Sequence, residues 1–470
     1  MIPSTAGTSA GQGVRRLAMA ARAAWVFTLL SRGGHPVTSI LDASPARGKG
    51  RDLSSAPVDL QSFALAVWSS PAWSATASTV VYLLLAVLFG PYGLGQTQNP
   101  YFVYLADALL HSQLTLVDVP PSTHDLSLYQ GHYYLYWPPF PSLLFLPLVA
   151  ALGKGVSDTL VTLLVAGLNV ALVSWLLRAL DARRVANLPL EKRAWLTAFF
   201  ALGTVHVTLA PYGRVWNTAL LVGFALLCSA YLAALRLPRR WAPLAAGALV
   251  GGAFLTRNST LLAAGWAAWY LWVSRDRSDR LAIIRISLAG LAPVAVAAML
   301  QGGYNYLRFG NPLDYGLAYH QMAGRFQADY QSYGAFSLHY LPTNLFYDFV
   351  AFPLLSLFEI QPAADLWMGG SLFLMSPVFL LGVWGASRWF RSHGWALALS
   401  CGLGLLPALV LMGTGWMTYG PRYTLDITVP LLVATALGAS IAPTGLLARL
   451  SMISFVVYLP GAVILSNVMR

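Results

Sequence analysis

About eleven apolar runs of near-membrane length recur along this chain, at residues 74–90, 159–177, 194–211, 218–235, 241–256, 259–274, 282–304, 366–387, 394–412, 425–441 and 447–467. A bilayer core of roughly 30 Å is crossed by about 20 apolar residues in a helix, so this repetition restricts the chain to a helical bundle solvated by lipid. The hydrophobic fraction of 57%, the charged fraction of 10% and a mean hydropathy of +0.61 agree with that class. The expected fold is therefore all-α and polytopic. A formal charge of +12 raises the question of nucleic acid, but the Lys and Arg residues fall in short clusters between apolar runs, as the positive-inside bias requires. Nucleic-acid binding is excluded on that ground. Cys228 and Cys401 lie singly in apolar runs, with neither metal spacing nor a disulfide framework.

Charge also sets the topology. One apolar piece, Pro138 to Gly153, is short and carries Pro138, Pro139, Pro141 and Pro147. A full crossing there would put Arg178, Arg183, Arg184, Lys192 and Arg193 on the wrong side, so it is read as a re-entrant or juxtamembrane element. The clusters Arg178 to Arg193, Arg236 to Arg240, Arg275 to Arg285, Arg388 with Arg391, and Arg449 then all face the cytoplasm, together with the N-terminal tail. That phasing places 22 of the 29 basic residues inside. Residues 1–70 form a basic extension, with seven Lys or Arg before Asp52 and the first acid at Asp42. It is expected to be disordered and cytoplasmic; an amphipathic segment from Val14 to Leu30 on anionic lipid, or a targeting segment, stays open beside that. Residues 71–470 form the transmembrane domain. Its expected home is the inner (plasma) membrane, with the N-terminus cytoplasmic.

The same phasing gathers the unusual polar segments on the outer face. The first outer loop, residues 91–137, runs for 47 residues with three acids and no Lys or Arg. A second large outer segment covers residues 305–365, and shorter breaks lie at Tyr212 to Asn217, Arg257-Asn258 and Gly413 to Arg422. Function in a polytopic protein tends to sit on such loops. A carrier would instead concentrate polar groups at the midplane, commonly in repeated halves, and no such repeat is present. These loops hold carboxylates able to take or orient a proton (Asp107, Asp118, Asp125), cations suited to a phosphate (Arg257, Arg308, Arg422), and many Tyr and Trp faces. Each has a plainer reading: interfacial aromatics anchor the bundle, Arg308 anchors a helix end, and Arg422 pairs with Asp426 one helical turn on. No metal motif, phosphate loop or nucleophile elbow is present, and His124 beside Asp125 does not make a metal site.

Several of these segments together resemble the bacterial GT-C glycosyltransferases of the family 39-like group, related to protein O-mannosyltransferases and aminoarabinose transferases. They are Tyr101 to Leu110 (YFVYLADALL), Tyr129 to Pro139 (YQGHYYLYWPP), Leu255-Thr256-Arg257, Tyr304 to Pro312 (YNYLRFGNP) and Tyr419 to Asp426 (YGPRYTLD). The resemblance covers about residues 75–440. It implies a GT-C-type bundle topped by extracytoplasmic loop helices, and an inverting transfer of a hexosyl or pentosyl group. The donor would be a polyprenyl-phosphate sugar; the acceptor, an extracytoplasmic glycolipid, envelope polysaccharide or protein.

The family carries an acid at the start of the first outer helix, where this chain has Gln98 and Asn99. An amide binds a sugar hydroxyl but cannot take its proton. The base is therefore expected to be Asp107, about two helical turns on, or Asp125. Arg257, Arg422 and Arg308 are the candidates for the donor phosphate; Gln98, Asn99, Tyr101, Tyr134, Tyr423 and Asp426 are the candidates for substrate binding. No cofactor is expected and no residue is assigned to a metal, with a divalent ion left open. Two alternatives stand beside transfer: a flippase for a lipid-linked glycan, and a GT-C relative without activity that serves as a binding subunit.

Overall fold

The computed structural model describes residues 60–274, 280–352, 368–413, 415 and 418–468. The segment Val14 to Leu30, the cluster at 275–279 and Asp365 lie outside the described residues. Within them the regular structure is helical, apart from two small pairs of strands, with long loops between. Among the described residues, seven helices are long and apolar enough to cross a membrane: Pro71–Phe89, Asp158–Ala182, Val215–Arg236, Ile283–Phe309, Phe390–Leu409, Arg422–Ile441 and Thr444–Leu465.

The remaining expected spans exist among the described residues as shorter or broken helices. Residues 194–211 become Leu190–Leu202 and His206–Leu209, interrupted where Gly203 packs on the Ser454 side chain and Thr204 bonds back to the Phe200 carbonyl. Residues 259–274 divide into Thr260–Ala263 and Gly265–Val273. Residues 366–387 divide at Ser376-Pro377, where the Ser376 hydroxyl donates to the Gly203 carbonyl at 2.8 Å. Breaks at depth are tolerated because neighbouring helices take up the freed backbone groups. The proline-rich piece is the 13-residue helix Phe140–Leu152, about 20 Å long at 1.5 Å per residue and too short to cross. Of the N-terminal residues 1–70, residues 60–69 form a helix that packs against Leu190–Leu202, and residues 1–59 lie outside the described residues.

Small residues let the helices approach closely. Leu380–Arg388 and Thr428–Ile441 meet through Gly385 and Gly438, where a Cβ on Gly438 would fall 1.9 Å from the Leu381 carbonyl oxygen. Helices in lipid have little hydrophobic drive to associate, so such backbone contact supplies the packing energy. The main core fills the bundle.

The loop at residues 91–137 has a core of its own. Phe102, Leu105, Leu126, Leu135 and Trp137 are buried against Phe145, Val149 and Val215. Its helix Tyr101–Leu110 is followed by a hairpin, Ser127–Tyr129 with His132–Tyr134, closed by Gln130 and Gly131 at φ +50° and +80°. Two successive positive-φ residues match the right-handed twist of a two-residue hairpin. A packed lid of this kind holds side chains over the bundle in fixed positions.

Candidate functional site

Polar groups from five separated segments meet in one cavity of about 640 Å³ at the end of the bundle that carries the first loop. Its floor comes from helix ends. Thr97 donates from both its backbone N–H and its hydroxyl to the buried carboxylate of Asp158, at 2.9 and 2.5 Å. Gln96 bonds the carbonyls of Lys154 and Val156, and the Asn99 carbonyl accepts from the Val215 N–H at 3.2 Å. Gln98 and Asn99 are thereby held at the cavity wall. Asn99 Nδ2 donates to the Tyr101 hydroxyl at 2.7 Å, and that hydroxyl donates on to the His124 carbonyl. Tyr101 does not line the cavity itself. Burial pushes its phenol up to about 12, so it stays protonated and able to donate.

Asp125 stands on the opposite side of this link, at φ +67° in a left-handed turn that a short polar residue tolerates. Its N–H donates to the Gln321 carbonyl at 2.9 Å, and the Gln321 N–H returns to the Leu126 carbonyl at 2.8 Å. The two long polar segments are thus clasped by strand-like bonds. That clasp sets His320 Nε2 2.9 Å from Asp125 Oδ1, with His124 Nε2 at 3.4 Å from the same oxygen. The His320 ring packs edge-on to Tyr136, which stacks on Trp137 at 3.8 Å. His320 was not singled out in the sequence: a lone histidine in a long loop carries no pattern, and only the backbone clasp brings it to the acid.

Asp107 goes elsewhere. The helix begins only at Tyr101, after Pro100 with a non-helical ψ of 43°, so Asn99 is not on the helix and the two-turn spacing does not apply. Asp107 instead faces Lys154 Nζ at 3.7 Å, beside the ion pair of Lys154 with Asp118. It is absent from the cavity lining. Asp118 likewise belongs to this ion cluster.

The cations separate in the same way. Arg308 is buried and fully engaged: Nε donates to the Tyr304 carbonyl (3.2 Å), Nη1 to the Leu135 carbonyl (2.5 Å) and Nη2 to Asn305 Oδ1 (2.7 Å). Its guanidinium lies over the Tyr304 ring at 3.7 Å. It ties the end of Arg280–Phe309 to the first loop and stands outside the cavity lining. Tyr134 also stays outside, packed edge-on against Phe309.

Arg257 lines the cavity, but its Nε and Nη2 form a fork on Asp426 Oδ1 and Oδ2 at 2.7 and 2.8 Å. Ser259 Oγ adds a third bond to Asp426 Oδ2 at 2.6 Å. Asp426 is 2% exposed, so its charge is fully matched within the protein. The expected Arg422–Asp426 pair does not form. Residues 422–427 are a 3₁₀ helix with three residues per turn, which rotates position i+4 by about 120° from position i.

Arg422 therefore keeps its charge unmatched by any carboxylate among the described residues. Its Nη2 donates to the Tyr423 hydroxyl at 3.2 Å, while its buried Nε has no hydrogen-bond partner among them. Gly415, at φ +89°, lies so close that a Cβ would fall 2.9 Å from that Nε. Arg214 is similar. It caps the N-terminus of Val215–Arg236, lies 5.9 Å from the Tyr92 and Trp216 rings, and has a buried Nε without a partner among the described residues. The positive end of that helix dipole adds to the same side. Tyr423 lines the cavity between Arg257 and Arg422.

The cavity thus holds one hydrogen-bonded carboxylate, two cations without carboxylate partners, a closed Arg–Asp fork and several aromatic faces. Its groups can accept a proton at Asp125 and stabilise an anion at Arg422 and Arg214. Among the described residues, no three His, Cys, Asp or Glu side chains gather in a group able to hold a metal ion.

No protein-family model matches the chain, and no curated protein matches it. Among solved structures it is similar to the oligosaccharyltransferase of Archaeoglobus fulgidus in the apo form, at 13% identity and a TM-score of 0.47, covering 85% of this chain and 55% of that one. A second likeness is to the AglB oligosaccharyltransferase of Archaeoglobus fulgidus in complex with an inhibitory peptide and a dolichol-phosphate, at 13% identity and a TM-score of 0.45, over 84% and 55% of the two chains. A third is to ArnT from Cupriavidus metallidurans bound to undecaprenyl phosphate, at 15% identity and a TM-score of 0.43, over 78% and 59%. The chain spans somewhat more than half the length of these solved structures.

Proposed function

We propose that the chain is an inverting glycosyltransferase that moves a hexosyl or pentosyl group from a polyprenyl-phosphate donor to an extracytoplasmic glycolipid, polysaccharide or protein. The observation that carries this reading is the pairing, in one cavity at the ends of the apolar helices, of a single available carboxylate with cations that lack carboxylate partners. Asp125 is the base that takes the acceptor proton, with His320 fixing its orientation. Arg422, supported by Arg214, stabilises the phosphate as the sugar–phosphate bond breaks. Such electrostatic stabilisation is commonly worth about 3 kcal/mol per group. Gln98, Asn99 and Tyr423 offer hydrogen bonds to sugar hydroxyls, and the Arg257–Asp426 fork holds the floor beneath them. The prenyl chain lies along the apolar helices beside the opening, and the cavity faces the extracytoplasmic side of the inner membrane with the N-terminus cytoplasmic.

The test is release of polyprenyl phosphate from synthetic polyprenyl-phosphate sugars by the protein in lipid nanodiscs, with crude envelope as acceptor. Release by wild type that is abolished in Asp125→Asn and in Arg422→Ala supports transfer. Saturable donor binding that needs Arg422, without release from any donor, would move the reading to a binding subunit or flippase, which the amides at Gln98 and Asn99 would then explain. Transfer is proposed to run without a metal ion. Loss of turnover in chelator, restored by a divalent cation, would overturn that clause.

A further inference from the structure

The opposite end of the bundle holds a second pocket, of about 370 Å³, lined by Trp175, Arg178, Ala179, Ala182, Arg183 and Arg236. It lies where Asp158–Ala182 and Val215–Arg236 end, whereas both helices begin at the cavity described above. Three guanidinium groups share this concavity, and no carboxylate lines it. The nearby acid Asp181 is already paired with Arg193 at 2.7 Å. Two of the three arginines are held in place by helix-end carbonyls. Arg178 Nη2 donates to the Ser69 carbonyl at 2.7 Å and Arg183 Nε to the Leu235 carbonyl at 2.6 Å. Each uses one of its five donors there, which leaves the others available around the pocket. Arg236 has no hydrogen-bond or ion-pair partner for its side chain among the described residues and completes the rim.

The helix that carries Arg178 also supplies a path for an acyl chain. Leu160, Leu164, Leu168 and Trp175 are exposed, at 42%, 57%, 47% and 38%, and their spacings of four, four and seven residues put them on one face. Arg178 follows three residues later on that same face. From Leu160 to Arg178 the rise is about 27 Å at 1.5 Å per residue, close to the thickness of a hydrocarbon core. The arginines therefore stand at phosphate level beneath a bare apolar stripe.

The geometry points to a binding site for the phosphodiester headgroup of an anionic phospholipid, whose acyl chain lies along Leu160, Leu164, Leu168 and Trp175. Three cations without a carboxylate favour a headgroup of net negative charge. A zwitterionic headgroup would bring its own ammonium among the guanidiniums. This site is independent of the proposed transfer reaction and lies at the other end of the molecule.

The experiment uses the full chain, stripped of lipid in a neutral detergent and titrated separately with phosphatidylglycerol, phosphatidylcholine and inorganic phosphate. Bound lipid is counted by native mass spectrometry and melting temperature is read in parallel. Phosphatidylglycerol is expected to stay bound and raise the melting temperature, whereas phosphatidylcholine and inorganic phosphate leave it unchanged. Arg236→Gln, which breaks no hydrogen bond, should weaken phosphatidylglycerol binding at least about fivefold without lowering the lipid-free melting temperature, the loss of one charged contact being worth about 1 kcal/mol. Arg388→Gln with Arg391→Gln, in another basic cluster, should leave binding as in wild type. Equal binding by the Arg236 variant and wild type, equal retention of phosphatidylcholine, or an equal shift with inorganic phosphate alone would overturn the proposal.

Discussion

Arg308 and Arg422 occupy comparable places in the sequence, each at one end of an apolar run beside Tyr and Gly, yet they end in opposite electrostatic states. Arg308 is bound by two carbonyls and an amide oxygen and is buried against Tyr304. Arg422 has one phenol partner, a buried Nε without one among the described residues, and a place on the cavity wall. Asp107 and Asp125 divide in the same manner, the first beside Lys154 and the second beside His320. The difference teaches that an ionisable residue at the end of an apolar run is left available for chemistry only where the fold withholds the partners that would otherwise absorb its charge. A saturated Arg fixes structure, whereas an unsaturated one attracts a ligand.

The contrast can be broken most sharply at the acids. Asp125→Asn should lower turnover by about 10³-fold, in the range of a lost general base, while Asp107→Asn should change it by no more than about threefold. Equal losses would erase the distinction. At the cations, Arg422→Ala should reduce release of polyprenyl phosphate by about 100-fold with little change in melting temperature. Arg308→Ala should do the reverse, costing about 3 kcal/mol of stability because its carbonyl partners are left buried, with near-normal turnover per folded molecule. Asp426→Ala probes the closed fork. It strands the buried Arg257 and should cost about 3 to 5 kcal/mol, seen as a melting temperature lowered well beyond that of Ser259→Ala.

The smallest effect concerns Asp348, a buried carboxyl on Leu341–Phe349 whose Oδ1 has no hydrogen-bond partner among the described residues. Burial raises it from 3.8 to about 7. A raised carboxyl favours the protonated form in the folded state, so its stabilising contribution is complete below the unfolded value and is lost as pH rises through about 7. The melting temperature should therefore fall between about pH 4 and pH 7 and level off above that, and Asp348→Asn should flatten the slope.

Much of the site was legible as ingredients. Gln98, Asn99, Asp125, Arg257, Arg422, Tyr423 and Asp426 were all read from the sequence and all line the cavity. Asp107, Arg308, Tyr101 and Tyr134 were read equally well as chemical types and stand outside its lining. The misplacements have local causes. Pro100 delays the helix Tyr101–Leu110, which breaks the assumed spacing to Asp107, and a 3₁₀ turn rotates Asp426 away from Arg422 and toward Arg257. His320 and Arg214 were missed as partners because their contacts span 195 residues in one case and join separate loops in the other.

The sequence by itself determined the class of molecule, since apolar length and charge phasing are summed over many residues and survive errors at any one of them. It also determined that the polar segments hold acids, cations and aromatic faces. Only the tertiary structure decided which of these remain chemically available. Availability depends on whether a carbonyl or carboxylate lies within about 3 Å of a charged group, and such distances are set by helix starts, turns and loop clasps that local pattern does not encode.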